Sequence, residues 1–153
     1  MKKIIVAACF LFTTIAANAQ SPAKSIFFEL GGPGLASINY DMRFAAKEDG
    51  LGFRVGLGGF SIDEESVLFI PAGLNYLLGK DGKNYFEIGG GATVVTGSSF
   101  DNNTFGTTFG HLNFGYRLQP TNGGFMLRAA IVPVFNKYGF IPYYAGISFG
   151  YKF

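Results

Sequence analysis

The chain has 153 residues, 48 % of them hydrophobic and only 14 % charged, with a single cysteine. Its formal net charge of +2 is carried by Lys2 and Lys3, so the rest of the chain is neutral and has no basic field for nucleic acid. Cys9 lies in the opening segment, which leaves the remainder without disulfide or thiol chemistry, and a sole histidine, His111, offers no donor set for zinc or iron.

In chain order, Lys2 and Lys3 precede an apolar stretch from Ile4 to about Ala16 and the small-residue site Ala17-Asn18-Ala19. That is the layout of a secretory signal peptide over residues 1–19, exported by the Sec route, and it is too short for a spanning helix. The expected mature chain is one domain over residues 20–153. It contains no run of eighteen apolar residues, so no transmembrane helix is available. Its 23 glycines and 17 % aromatic content suit short, twisted strands.

Eight strand segments stand between turn signals: 25–32, 35–44, 51–60, 66–78, 84–96, 105–119, 124–135 and 141–153. None of the connections is long enough to form a domain. Each segment alternates with a period of two. One parity carries Ile26, Phe28 and Leu30, then Ile38 and Tyr40, Phe53, Val55 and Leu57, Leu68, Leu74 and Tyr76, Phe86 and Ile88, Leu112 and Phe114, and Leu127 and Ile131. The other carries Gly, Ser, Thr and Asn together with every charged residue placed inside a strand: Glu29, Asp41, Arg43, Arg54, Glu87, Arg117, Arg128 and Lys152. A soluble barrel would have the same alternation turned inside out, with an exterior about a quarter to a third charged. The large apolar side chains here are also too many for the lumen of an eight-stranded barrel. The expected fold is therefore an all-β, eight-stranded antiparallel up-and-down transmembrane barrel, apolar face in lipid, because only closed barrels and helices satisfy the backbone there.

With the N-terminus on the periplasmic side, the eight inward charges fall near the periplasmic rim. Neighbouring strands suggest three pairs: Glu87 with Arg117, Asp41 with Arg54, and Glu29 with Lys152. Two readings follow, a salt-bridged network filling the lumen or an ion-selective constriction. Above that layer, the inward Gly31, Gly56, Gly58, Gly89, Gly91, Thr93 and Gly146 either relieve crowding or leave a pocket for a small apolar solute. Pro71 and Pro133 are expected to mark bulges or the outer limit of regular pairing. Tyr40, Tyr76, Tyr116 and Tyr151 recur near the ends of even strands and are expected to form an aromatic girdle at the periplasmic rim. A triad of His111, Ser148 and Glu87 can be written down, but the three fall on different strands at different heights. No catalytic, cofactor or metal site is expected. Asp63-Glu64-Glu65 could meet divalent ions bridging lipopolysaccharide, or simply be solvated.

The last residues, Tyr143 to Phe153, read YYAGISFGYKF and place Tyr143, Ile147, Phe149, Tyr151 and Phe153 on one face. This end resembles the C-terminal signature strand that the barrel-assembly machinery recognises in bacterial outer-membrane barrels. With FFELGG, INYDMRF, GLGFRVGLG, GLNYLLG, YFEIGGGA and NFGYRLQP, it makes the chain similar to a family of small outer-membrane barrel proteins of undefined activity. More loosely it resembles the eight-stranded OmpX, OmpA and OmpW barrels, whose long extracellular loops or protruding strands have no evident counterpart. The resemblance implies a porin-like outer-membrane protein, monomeric and non-enzymatic. Its implied partners are outer-membrane lipid, lipopolysaccharide, the assembly machinery and periplasmic chaperones. An OmpW-like carrier of small apolar solutes is the first alternative and a lipid A-modifying enzyme the second.

Overall fold

The computed structural model describes residues 21–62, 65–97 and 105–153. The expected signal peptide and the Asp63-Glu64 turn lie outside the described residues. The strands are β1 Lys24–Gly31, β2 Ala36–Arg43, β3 Gly50–Ile62, β4 Glu65–Leu78, β5 Asn84–Gly97, β6 Phe109–Leu118, β7 Gly124–Ile131, β8 Val134–Asn136, β9 Gly139–Ile141 and β10 Ala145–Lys152. All pairings are antiparallel, each barrel strand pairs with the next, and β1 closes the ring against β10, with Ile26 facing Tyr151 and Glu29 facing Ser148.

Ten strands make an eight-stranded barrel because β8 prolongs β7 and β9 precedes β10 along the same barrel strand. From Ile131 to Val134 the chain advances three residues, while its partner on β6 moves three, from Phe114 to His111. Pro133 therefore interrupts the strand without shifting register. Its carbonyl still accepts from the Leu112 amide at 2.9 Å, and only the donor that proline lacks is missing. Pro71 likewise faces Thr93 in an unbroken β4–β5 ladder. Neither proline forms the bulge that was one expectation, but pairing lapses on one side of each, as the other expectation had it: β7 stops at Ile131, and the β3–β4 ladder skips from Val55–Ala72 to Gly58–Phe69. The bulge lies at Pro142 instead: the Val132 amide bonds the Tyr144 carbonyl at 2.6 Å, yet Val134 faces Ile141. Two residues on one edge thus oppose three on the other. Tyr143 falls in this bulge, before β10 begins, and is fully exposed.

Strand length is uneven. β3, β4 and β5 have 13, 14 and 14 residues, against 8 for β1 and β2. Protruding strands therefore do exist, and they stand at the end opposite the termini.

The period of two sorts the side chains. Ile26, Ile38, Leu57, Leu74, Phe86, Val94, Ile131, Ile147 and Phe149 are exposed on the outer wall. Glu29, Asp41, Arg43, Arg54, Glu87, Arg117, Arg128 and Lys152 are buried inside, none more than 7 % exposed. So wide an apolar exterior is stable only against an apolar medium. The inside is not wholly polar. Leu77, Tyr85 and Met126 are buried inside nearer the termini, and toward the far end Val67, Phe69, Phe109, Val132 and Val134 form an apolar cluster joined by Leu35, Phe60, Phe105 and Tyr144.

Candidate functional site: a charged chain inside the barrel

All eight barrel strands contribute to one polar layer. Four arginines and three carboxylates alternate in an open chain: Arg54, Glu29, Arg128, Glu87, Arg117, Asp41, Arg43. Arg54 pairs with Glu29, whose other oxygen takes Arg128 Nη1 at 2.8 Å. Arg128 then grips Glu87 bidentately, Nε to Oε2 at 2.8 Å and Nη2 to Oε1 at 2.7 Å. Arg117 lies 3.5 Å from Glu87 Oε2 and 2.9 Å from Asp41 Oδ1. Arg43 ends the chain on Asp41 at 2.8 Å. A guanidinium can hold two carboxylates at once because its donors are spread over a planar fork, which a lysine ammonium cannot imitate.

Neutral side chains fill many of the remaining valences, while Arg43 Nε, Arg117 Nε and Arg117 Nη1 have no hydrogen-bond partner. Asn39 accepts from Arg54 Nε at 3.0 Å, Asn113 donates to Glu87 at 3.0 Å and Ser148 to Glu29 at 3.0 Å. Asn75 on β4 donates to Asp41 and to Glu87. Phe27, buried inside, lies under both Arg54 and Arg128, 5.2 and 5.1 Å from its ring centroid. Arg117 and Arg128 face each other directly across the β6–β7 ladder, and Glu87 between them relieves that like-charge contact.

Two of the three pairs expected from adjacent strands are not formed. Asp41 does face Arg54 in register, but Arg54 reaches Glu29 and Asp41 takes Arg117 and Arg43. Lys152 does not reach Glu29. It bonds Glu48 Oε1 at 2.6 Å and the Thr121 carbonyl, while Gln119 holds the Glu48 carbonyl at 3.2 Å. Glu48, read in sequence as a turn residue, thus belongs to the site, as do Asn75, Asn113 and Phe27. No sequence signal marked them beyond inward parity.

Toward the far end, the turn after β1 folds into the lumen. Gly32, Pro33 and Gly34 are buried, and Thr93 Oγ1 donates to the Pro33 carbonyl at 3.0 Å. His111 Nδ1 lies 3.4 Å from the same hydroxyl, so with that proton committed His111 supplies the hydrogen. Ser148 bonds Arg128 and Glu29 instead, and the written triad does not assemble. The inward glycines receive this turn. A Cβ on Gly58 would strike the Gly34 carbonyl, and one on Gly146 would lie 2.8 Å from the Gly32 amide nitrogen. Leu35 ends the turn at φ 59°, ψ −74°, the one positive φ outside glycine among the described residues. Of the two readings of the inward glycines, relief of crowding fits this turn, and the cavity beside it, lined by Arg54, Asn75, Glu87, His111 and Asn113, is about 20 Å³, room for about one water.

On the outer wall, Tyr76, Tyr116 and Tyr151 are exposed near the ends of their strands, and Tyr40 is half-buried with its hydroxyl 3.6 Å from Met42 Sδ. Ile147, Phe149, Tyr151 and Phe153 share the outward face of β10, and the Phe153 amide closes the seam on the Lys24 carbonyl at 3.0 Å.

No family model matches the sequence, and no curated protein matches it. Among solved structures, the N-terminal β-barrel domain of Pseudomonas aeruginosa OprF is similar, with a TM-score of 0.61 and 14 % identity over 89 % of this chain and 100 % of that domain. At that identity the likeness is one of fold. The chain is a closed, eight-stranded antiparallel barrel of outer-membrane type.

Proposed function

We propose that this is a non-enzymatic outer-membrane barrel with a structural role in the envelope, its lumen closed at both ends. The observation that carries the reading is the continuous Arg54-to-Arg43 chain: seven charged groups fill the cross-section, and every carboxylate bridges two arginines. The Glu48–Lys152 contact lies across the mouth near the termini, and the Gly32–Gly34 turn with its apolar surroundings fills the other. The termini and the Tyr76, Tyr116 and Tyr151 rings face the periplasm, with the rings at headgroup level. The outward face of β10 is what the barrel-assembly machinery engages during insertion, after chaperoned export. The folded protein is a monomer surrounded by lipid and lipopolysaccharide.

The test is conductance. Purified protein reconstituted in planar bilayers should give no unitary steps in molar salt, while membrane fractionation and a heat-dependent gel shift report insertion and folding. Discrete ohmic steps from the inserted protein would replace the closed barrel with a channel. Uptake of a small apolar solute by loaded vesicles would replace it with a carrier.

A further inference from the structure

The outer wall carries a feature that the closed lumen does not explain. At the end away from the termini, a groove of about 610 Å³ runs over β5, β6 and β8. Its floor is one lateral row: Ala92 faces Gly110, and Gly110 faces Phe135. Gly110 makes room for the Phe135 ring, which lies directly over it and forms the apolar floor. Thr108 stands two residues beyond Gly110 and Lys137 two beyond Phe135, a rise of roughly 7 Å along the strands. The groove is therefore apolar at its base and hydroxylic and cationic at its top. Asn136 Nδ2 bonds Thr107 Oγ1 at 3.0 Å and fixes the wall between them.

The charge distribution makes Lys137 distinctive. Of the basic residues after residue 20, Arg43, Arg54, Arg117, Arg128 and Lys152 are inside, and Lys24, Lys47, Lys80 and Lys83 lie at the end holding the termini. Lys137 is the one cation at the opposite end. Among the described residues it forms no ion pair with a carboxylate. Its ammonium lies 4.7 Å from the Tyr138 ring centroid.

We propose that this groove is a binding site for one outer-leaflet phosphorylated glycolipid, an acyl chain lying over Ala92, Gly110 and Phe135 and a lipid A phosphate meeting Lys137 and Thr108. Apolar floor and cationic lip are stacked in the order of such a lipid's own parts, and a phosphate over a single ammonium is a charge-assisted contact. The site rests on the outer-membrane reading for its ligand but not for its geometry.

The experiment uses the folded protein in non-ionic detergent, with native mass spectrometry counting bound lipid. The probes are diphosphoryl lipid A, the same lipid dephosphorylated, phosphatidylglycerol and inorganic phosphate. One diphosphoryl lipid A should be retained about tenfold more tightly than the dephosphorylated form, equivalent to about 1.4 kcal/mol. Lys137→Gln should abolish that preference and leave binding of the dephosphorylated lipid unchanged. Gly110→Leu, whose Cβ would displace the Phe135 ring from the floor, should weaken both. The heat-dependent gel shift confirms that each variant is folded. Lys137→Gln binding as wild type, Gly110→Leu binding as wild type, or phosphatidylglycerol binding as well as lipid A would each overturn the site. Failure of the wider reading looks different: the protein would be absent from the outer-membrane fraction while still retaining lipid A in detergent.

Discussion

Removing Arg128 and removing Arg43 change the lumen charge identically, yet the structure predicts very different costs. The chain holds four arginines and three carboxylates, so either Arg→Met substitution leaves three of each. Net charge alone would make both favourable. Connectivity does not. Arg128 is central and gives three charge-assisted bonds of 2.7 to 2.8 Å to two carboxylates, plus bonds to Asn113 and Ser148. Without it Glu87 keeps only Arg117 at 3.5 Å as an ion-pair partner. Breaking a buried pair from one side costs about 3 to 5 kcal/mol, and this break touches two carboxylates, so about 4 kcal/mol or more is expected. Arg43 is terminal. Asp41 keeps Arg117 at 2.9 Å and Asn75 when Arg43 is lost, and Arg43 Nε has no hydrogen-bond partner to lose. Arg43 gives up two bonds to Asp41, one to Asn75 Oδ1 and one to the Gly50 carbonyl, but no carboxylate is left without an arginine, so its removal should cost less, about 2 kcal/mol. Urea unfolding in lipid vesicles, followed by the gel shift between compact and unfolded barrel, measures both. Equal losses, or a stabilised Arg128→Met, would refute the alternating chain as the source of stability.

Four further outcomes follow from local contacts. Gly58→Ala should cost about 2 to 3 kcal/mol in the same assay, because its Cβ meets backbone of the inserted turn. Gly90→Ala, whose Cβ meets the flexible Leu112 side chain at 3.2 Å and the His111 carbonyl at an ordinary 3.4 Å, should cost under about 1 kcal/mol. Lys152→Met should cost about 1 kcal/mol or less, since Glu48 keeps Gln119 and is 23 % exposed. Asp81, in the β4–β5 turn, accepts from the Asn84 side chain and from the Asn84 and Lys83 amides, which lowers its carboxyl from 3.8 to about 2. A depressed carboxylate stabilises the turn fully above 3.8 and loses that contribution as pH falls toward about 2. Carbon-13 chemical shifts of Asp81 should show the low midpoint, and a midpoint near 3.8 would deny these bonds.

The barrel was legible in the sequence because two-residue periodicity and strand count are local properties. Ile26, Phe28 and Leu30 against Phe27 and Glu29 already decide which way β1 faces, and the turn signals between strands do the rest. The prolines were legible as limits of pairing, but not as bulges, where only tertiary pairing discriminates. Pro71 and Pro133 interrupt no register, and the extra residue lies beside Pro142, where one strand must bend while its neighbour does not. The inward glycines could be read as space, but not as space already taken. What fills it is a turn whose burial depends on Gly58 and Gly146 coming from distant strands.

The pairing of the charges lay beyond the sequence for a geometrical reason. Reading neighbours assumes that a side chain meets the strand beside it, about 4.8 Å away. An arginine reaches farther than that, and in a barrel of eight strands inward side chains from opposite walls are long enough to meet near the axis. Arg117 on β6 therefore meets Asp41 on β2, four strands around the ring, and Arg128 on β7 meets Glu87 on β5. The facing pair Arg117 and Arg128 would repel if each depended on its strand neighbour. Because Glu87 lies within reach of both, that juxtaposition instead makes a carboxylate at this point on β5 necessary. Which carboxylate each arginine meets is thus a property of lumen width, which no single strand encodes, whereas the burial of all of them is a property of parity, which every strand encodes.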